Sequence, residues 1–167
     1  RVHITRFAVR SPTGVGDAHG TGNIFSFGHS LQVLDLTFGL IDDQPAVIES
    51  LKREVRWDDI PVAKIYTANS AREARMVIKN FEVDALLTDI EMPEEDGLSL
   101  FRWMREHYPQ IEGVFITAHA DFHYAQEAIH MGGFDYILQP FRGEDVVATL
   151  RKVADNVKIA IRGGVVD

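Results

Sequence analysis

Cysteine is absent from this chain of 167 residues. Its absence excludes disulfide bonds, thiolate metal sites and a cysteine nucleophile, and it suits a reducing compartment. The sequence also has no apolar run of about 18 residues, the length that a membrane-spanning helix needs, and no segment typical of a secretory signal. We therefore expect a soluble, cytoplasmic protein without a membrane segment.

Basic residues are few relative to acidic ones. The chain has 17 Lys and Arg against 25 Asp and Glu, which gives a formal net charge of −8. Such a surface does not neutralise phosphates, so we expect no direct nucleic-acid binding by this chain. Apolar residues, in contrast, make up 46% of the sequence. A chain of this length and composition buries a core instead of remaining disordered.

The composition changes near residue 34. Residues 1–34 hold five of the 13 glycines and a single acidic residue, and the stretch from Ser11 to Ser30 has neither helical nor strand periodicity. We predict a Gly- and Ser-rich arm over residues 1–34 and a folded domain over 35–158. Residues 159–167 are interpreted as a tail, frayed from Arg162 onward, or as the start of a linker to an output domain that lies outside this chain.

Short apolar segments alternate with segments of helical spacing from residue 36 onward. The apolar segments lie at residues 36–41, 63–68, 85–87, 114–116 and 134–138. Each is the length of a strand buried on both faces. The fourth helical stripe consists of Phe122, Ala125 and Ile129. Five strands alternating with five helices predict an α/β fold, a doubly wound parallel sheet with helices on both faces.

Acidic residues follow two of the predicted strands. Asp42 and Asp43 come directly after the first strand, and Asp89 ends the third, with Glu91 two residues later. Ligands of open parallel sheets bind outside the carboxyl ends of the strands, so we expect these acids to converge. Like charges held close together repel unless a cation lies between them. Oxygen ligands favour Mg²⁺ or Mn²⁺, and zinc is the weaker candidate.

Two further polar residues end strands at the same edge. Thr117 ends the fourth strand and Gln139 ends the fifth. A threonine hydroxyl facing an aspartate beside a cation suits an aspartyl phosphate, with Asp89 as the nucleophile and Thr117 donating to a phosphoryl oxygen. Taken alone, Asp42 and Asp43 would be interpreted as a solvated strand end or a helix cap. Asp89 and Thr117 lie at matching strand ends, and this shared position favours the interpretation of Asp42 and Asp43 as part of a functional site.

Four segments of the chain resemble the receiver domain of two-component response regulators, over about residues 35–158. They are IDDQ (41–44), LLTDIEMPEEDG (86–97), VFITAH (114–119) and FDYILQP (134–140). The segments ADFHYAQEAI (120–129) and GGFDYILQP (132–140) are most similar to the subgroup whose output domain is an AraC-type helix-turn-helix. The resemblance implies a flavodoxin-like, CheY-like sheet of strand order 2-1-3-4-5.

The resemblance also implies a role in signalling. Asp89 would accept a phosphoryl group from a sensor histidine kinase, and the output would be a DNA-binding domain after residue 158. The chain would not be a turnover enzyme, although it would slowly hydrolyse its own aspartyl phosphate. A homodimer could form through the fourth helix, fifth strand and fifth helix.

Roles for individual residues follow from the same resemblance. The implied magnesium ligands are Asp43 directly, Asp42 largely through water, Asp89, and the backbone carbonyl of Glu91. Thr117 would close on the phosphoryl group, and Tyr136 would change rotamer when Thr117 moves. The family's cis peptide bond would lie between Gln139 and Pro140. Alternatively, Tyr136 is an ordinary packed aromatic.

Other interpretations stay open beside the signalling one. The family usually has Lys at the position of Gln139, so the chain could be an unphosphorylated pseudo-receiver that serves as an interaction module. A phosphatase or dehalogenase with an aspartate nucleophile is disfavoured, because the nucleophile would lie on an early strand in a DxD-type motif, beneath a lid. Glu94, Glu95 and Asp96 are interpreted as exposed loop charges and helix N-terminal charges, not as ligands.

Replacement of Gln139 by Lys tests the effect of the missing charge. A charge-assisted hydrogen bond contributes ~1.5 to 3 kcal/mol and a neutral one ~0.5 to 1.5, so the coupling of phosphate to the switch should be weaker by ~1 to 2 kcal/mol in the parent than in Gln139→Lys. We expect phosphorylation in both proteins and a more tightly enforced active state in the variant. Phosphotransfer rates and phosphomimetic structures of the parent and of Gln139→Lys check this prediction. If the two proteins differ in neither measurement, the prediction is contradicted.

Overall fold

A computed structural model of the protein describes residues 35–118 and 122–164, and the predicted arm over 1–34 lies outside the described residues. The strands are β1 (Leu36–Ile41), β2 (Val62–Ala68), β3 (Ala85–Asp89), β4 (Glu112–Thr117) and β5 (Asp135–Leu138). The helices are α1 (Pro45–Glu54), α2 (Ala71–Asn80), α3 (Gly97–His107), α4 (Phe122–His130) and α5 (Gly143–Gly164), and a 3-10 turn, Trp57–Asp59, follows α1.

The strands form one sheet of order β2-β1-β3-β4-β5. All four neighbouring pairs are parallel, so both the predicted fold class and the implied strand order are confirmed. The register aligns the carboxyl ends of the central strands, since Asp89 pairs with Ile116 and Thr117 pairs with Leu138. The residues that follow β1, β3 and β4 therefore emerge along a single edge of the sheet.

The core lies on both faces of the sheet. Leu87 belongs to a buried cluster that includes Leu150 of α5. Its neighbour Leu86 belongs to a second cluster that includes Phe101 of α3. Successive strand residues point to opposite faces, so a central strand covered on both sides is apolar throughout. This burial accounts for the short apolar segments of the sequence and fixes where each strand ends.

Polar side chains and a proline mark the beginnings of three helices. Pro45 occupies the first turn of α1, where a missing N–H costs nothing. Ser70 caps α2, with its Oγ accepting a hydrogen bond from the Glu73 N–H at 3.1 Å. Asp96 caps α3, with Oδ1 accepting from the Ser99 N–H at 2.7 Å. The interpretation of Asp96 as a helix N-terminal charge is therefore confirmed.

Two details differ from the sequence predictions. α5 continues to Gly164, so residues 162–164, the first part of the segment that was interpreted as frayed, are helical. Each added residue of an existing helix forms another hydrogen bond, so α5 passes the predicted domain boundary at 158. In α4, Ile129 is 43% exposed, whereas Ala125 and Ala128 are buried. The buried stripe therefore follows the i, i+3 spacing and not the predicted i, i+4 spacing.

Substitution of Gly97 tests the close approach of α3 to the end of β3. A Cβ atom at Gly97 would lie 2.0 Å from the Asp89 carbonyl oxygen, so Gly97→Ala should lower the free energy of unfolding by about 2 to 3 kcal/mol in urea titrations. Gly132→Ala is the control. Its Cβ would meet no atom closer than 3.8 Å, so only the strain of φ +93° applies, about 1 kcal/mol. Parent-like stability of Gly97→Ala would contradict the prediction.

Candidate functional site

Three carboxylates meet at the carboxyl edge of the sheet. One oxygen each of Asp42, Asp43 and Asp89 lies within 4.8 Å of the other two. The backbone places them there: the Asp42 N–H extends the β1–β2 ladder by donating to the Ala68 carbonyl at 3.1 Å, and Asp89 is the last residue of β3. The predicted convergence of the three acids is thus confirmed. We call this group the acidic cluster.

Burial and mutual repulsion disfavour charge on two members of the acidic cluster. Desolvation, followed by the charges of Asp42 and Asp43, raises the pKa of Asp89 to about 7, although backbone hydrogen bonds from Glu91 and Ile90 oppose the shift. Desolvation also raises the pKa of Asp42 to about 6, against a hydrogen bond from the Gln44 N–H at 2.9 Å. Among the described residues, no Lys or Arg forms an ion pair with these carboxylates. A bound cation would supply the missing positive charge.

The donor set of the acidic cluster fits a hard divalent cation. All three side chains offer carboxylate oxygens, which Mg²⁺ and Mn²⁺ take as ligands while keeping several waters. Asp42 is buried, whereas Asp43 and Asp89 are partly exposed, so the cluster is open on one side. An open side leaves room for water or for a phosphate oxygen. Glu91 follows Asp89 by two residues with an exposed side chain, and its role as a carbonyl ligand stays a prediction.

The end of β4 adjoins the acidic cluster through the sheet register. Thr117 is 2% exposed and lies one residue beyond Ile116, the partner of Asp89. The Gln139 N–H donates to the Thr117 carbonyl at 2.8 Å, and the peptide bond between Gln139 and Pro140 is cis, as the resemblance implied. The Gln139 side chain is half-buried, and a neutral amide brings no counter-charge to this edge.

Tyr136 lies on β5 opposite Phe115 of β4. Its half-buried ring packs against the cluster that α2, α3 and α4 cover. This position is compatible with both interpretations, a switch residue and a packed aromatic. The roles of Thr117, Gln139 and Tyr136 therefore stay predictions.

Glu95 belongs to the group that was interpreted from the sequence as exposed loop charges and helix N-terminal charges, but it is only partly exposed. Its side chain is 26% exposed and forms an ion pair with Arg75 of α2. The two residues are 20 positions apart and belong to no periodic pattern, so nothing in the sequence signalled the pair.

A cleft lined in part by Gln139 was also missed. It has a volume of about 480 Å³ and lies between α1 and the loop after β5. Its lining includes Ala46, Val47 and Ser50 on α1, and Gln139, Pro140 and Phe141 on the loop. The cleft depends on how α1 packs against a distant loop, which hydrophobic periodicity does not specify.

No helix among the described residues is both long enough and apolar enough to span a membrane.

Comparison with known families and proteins gives a consistent result. The response regulator receiver domain family matches residues 38–151. The transcriptional regulatory protein NatR of Bacillus subtilis is 33% identical over 112 residues, which cover 66% of this chain and 46% of NatR. The uncharacterized transcriptional regulatory protein YesN of the same organism is 24% identical over 119 residues, covering 71% of this chain and 32% of YesN. The chain thus spans less than half the length of these relatives.

A solved structure shows the same likeness. The REC domain of AraT, a response regulator from Geobacillus stearothermophilus, superimposes with a TM-score of 0.68 at 28% identity. The superposition covers 75% of this chain and 97% of that domain.

The raised pKa values of the acidic cluster predict a stability that falls as pH rises in the absence of divalent cations. The folded protein holds the Asp89 proton up to about pH 7, whereas the unfolded chain releases it near its ordinary value of 3.8. Stability from this group is therefore complete below about pH 4 and is lost as pH rises through about 7. Asp89→Asn should be more stable than the parent at about pH 8 by roughly 1 to 3 kcal/mol.

Urea unfolding at several pH values with a chelator present measures this effect. Glu106→Gln, which removes an exposed carboxylate of α3, is the control and should match the parent. Added Mg²⁺ should stabilise the parent and leave Asp89→Asn nearly unchanged. An Asp89→Asn protein that is less stable than the parent at about pH 8 would contradict the prediction.

Proposed function

This chain belongs to the response regulator receiver domain family, and from that premise we propose that Asp89 accepts a phosphoryl group from a sensor histidine kinase. The observation that carries the proposal is the meeting of Asp42, Asp43 and Asp89 within 4.8 Å at the open end of the sheet. A packed structural role would not place three unpaired acids together, since their repulsion costs stability. A site that binds a cation and a phosphoryl group uses that arrangement.

The transfer step needs an ionised Asp89. A carboxylate oxygen of Asp89 forms a bond to phosphorus while the bond from phosphorus to the donor's imidazole nitrogen breaks. The imidazole keeps the electron pair of that bond and takes up a proton from water. Mg²⁺, when bound, supplies positive charge that keeps the carboxylates ionised and neutralises the transferred phosphoryl oxygens.

Residues around Asp89 have separate roles in this proposal. Asp43 would hold Mg²⁺ directly and Asp42 largely through water, with the Glu91 carbonyl completing the protein ligands. Thr117 would donate its hydroxyl hydrogen to a phosphoryl oxygen. Thr117 is the last residue of β4, which pairs with β3 on one side and with β5 on the other. The rest of the strand is therefore held in place, and the hydrogen bond would act on Thr117 at its end.

Phosphorylation would change the balance between two conformations. The new hydrogen bond to Thr117 favours the state in which that residue lies closer to Asp89, and Tyr136 follows into the space vacated. Ile129 of α4 and Leu138 of β5 are 43% and 45% exposed, so both belong to the face through which we propose that the signal leaves and a homodimer forms. The relatives named as transcriptional regulators support a DNA-binding output domain outside this chain.

The partner that donates the phosphoryl group must approach the open side of the acidic cluster. The cleft between α1 and the loop after β5 includes Gln139, whose backbone is hydrogen-bonded to Thr117, so a partner seated there would lie beside the site. Its apolar walls, Val47 and Phe141 among them, suit the side of a kinase helix. The phosphoryl group of such a kinase derives from ATP, which supports a cytoplasmic location. Slow hydrolysis of the aspartyl phosphate by water would reset the protein without making it a turnover enzyme.

Gln139 favours the competing proposal of a pseudo-receiver, because the family's usual lysine charge is missing. The acidic cluster argues against it, since all three acids are present and positioned. A pure interaction module has no use for carboxylates with raised pKa values at an open edge.

Incubation with acetyl phosphate and Mg²⁺ separates the two proposals. We expect a mass increase of one phosphoryl group in the parent and none in Asp89→Asn, because the nucleophilic oxygen is lost. Asp58→Asn, which alters an exposed acid of the turn after α1, is the control and should be phosphorylated like the parent. A folded parent that gains no mass, or an Asp89→Asn protein that still does, would sink the phosphoacceptor proposal.

A further inference from the structure

The loop between β3 and α3 is tied to α2 by a half-buried ion pair. The guanidinium of Arg75 donates from Nη2 to Oε1 of Glu95, with the two side chains 34% and 26% exposed. The Ser99 hydroxyl contacts the same carboxylate oxygen at 3.4 Å. Screening by water and salt is weaker at this depth than on an open surface, so the pair can hold the loop against α2.

Trp103 of α3 holds Arg75 in place for this contact. The guanidinium carbon of Arg75 lies 5.0 Å from the centre of the Trp103 ring, a cation–π distance. The Arg75 Nε atom is buried without a hydrogen-bond partner among the described residues. The guanidinium therefore forgoes one hydrogen bond at this position, and the contacts with Glu95 and Trp103 offset that loss.

The same loop adopts a strained turn immediately before Glu95. Glu94 has φ +68°, in the left-handed region, and the Glu95 N–H donates to the Pro93 carbonyl at 2.8 Å. A hydrogen bond between residues two apart, across a central residue of positive φ, defines a γ-turn that is rare and costly for a side chain other than glycine. Such a turn persists only where neighbouring contacts hold it.

The strained turn lies in the segment that leads from Asp89 through Glu91 to α3. Gly97 closes the base of this loop, donating its N–H to the Ile90 carbonyl at 2.7 Å. Ile90 is buried in the core, so the loop is fixed at its base, and the Arg75–Glu95 pair fixes its far side. The Glu91 backbone lies between the two attachments.

We propose that the Arg75–Glu95 ion pair positions the β3–α3 loop for cation binding, so that α2 contributes to the magnesium affinity of the acidic cluster. The inference rests on the proposed function, because it takes the Glu91 carbonyl as a ligand of the cation. Arg75 and Glu95 are positioning residues: they act through the loop and do not touch the cation.

The sign of the effect distinguishes positioning from simple electrostatics. Loss of the positive charge of Arg75 would by itself strengthen the binding of Mg²⁺, and loss of the negative charge of Glu95 would weaken it. If the pair positions the loop, Arg75→Gln and Glu95→Gln should both weaken binding. We expect about threefold to tenfold in each, less than the tenfold to hundredfold lost with groups bonded directly to a ligand.

Calorimetric titration of the full chain with MgCl₂ measures these affinities. The matched control is Lys79→Gln, since Lys79 also lies on α2 with its Nζ atom 5.8 Å from the centre of the Trp103 ring, but forms no ion pair among the described residues. Lys79→Gln should bind Mg²⁺ at least as tightly as the parent. The exchanged pair, Arg75→Glu with Glu95→Arg, should recover most of the lost affinity, because it restores the attraction in reverse.

The outcomes separate this inference from the proposed function. A parent that binds no Mg²⁺ would overturn both. If the parent binds Mg²⁺ and Arg75→Gln and Glu95→Gln bind it with the same affinity as the parent, the positioning role alone is overturned. Tighter binding by Arg75→Gln than by the parent would overturn it as well. If Arg75→Gln does not fold, Glu95→Gln and the exchanged pair decide: weakened binding that the exchange restores supports the proposal, and weakened binding without recovery rejects it.

Discussion

The confinement of like charges at one edge of a parallel sheet governs this molecule. Asp42 directly follows β1 and Asp89 ends the neighbouring β3. A core on both faces fixes the register of these strands, so the carboxylates cannot separate without disturbing the sheet. The free energy of their repulsion is offset by the burial of the apolar strands. A site of this kind is therefore a property of the whole sheet and not of the loops alone.

Much of this arrangement could be predicted from the sequence, because the predictions used periodicity and strand ends. Five apolar segments and five helical stripes predicted the elements, and the shared edge of parallel strands predicted that Asp42, Asp43 and Asp89 would meet. The order of the strands in the sheet could not be predicted in this way, because hydrophobic periodicity does not show which strands are neighbours. The order 2-1-3-4-5 was predicted from the family resemblance instead. Position along the chain indicates which strand ends carry acids, but not how deeply each acid is buried.

Contacts between distant side chains could not be predicted. The Arg75–Glu95 pair joins residues in separate elements, and neither residue is distinguished from the many exposed charges of the chain. The cleft between α1 and the loop after β5 depends in the same way on packing. Ile129 shows the limit within one helix: spacings of three and four residues both describe a stripe, and only the packed structure shows that Ala128 is the buried member.

The neutral amide at Gln139 makes the other supports of the site more important. A lysine at this position would offer the acidic cluster a permanent positive charge from the β5 side of the sheet. Without it, the cation and the Glu91 carbonyl that we propose as its ligand would have to supply more of the support for the site. The loop after β3 contains the strained turn at Glu94, and the Arg75–Glu95 ion pair joins it to α2, which lies on the other side of the cluster from β5. A site that lacks a charge on one side therefore gains most from a rigid attachment on the other, because a cation bound by few protein groups is sensitive to the position of each of them.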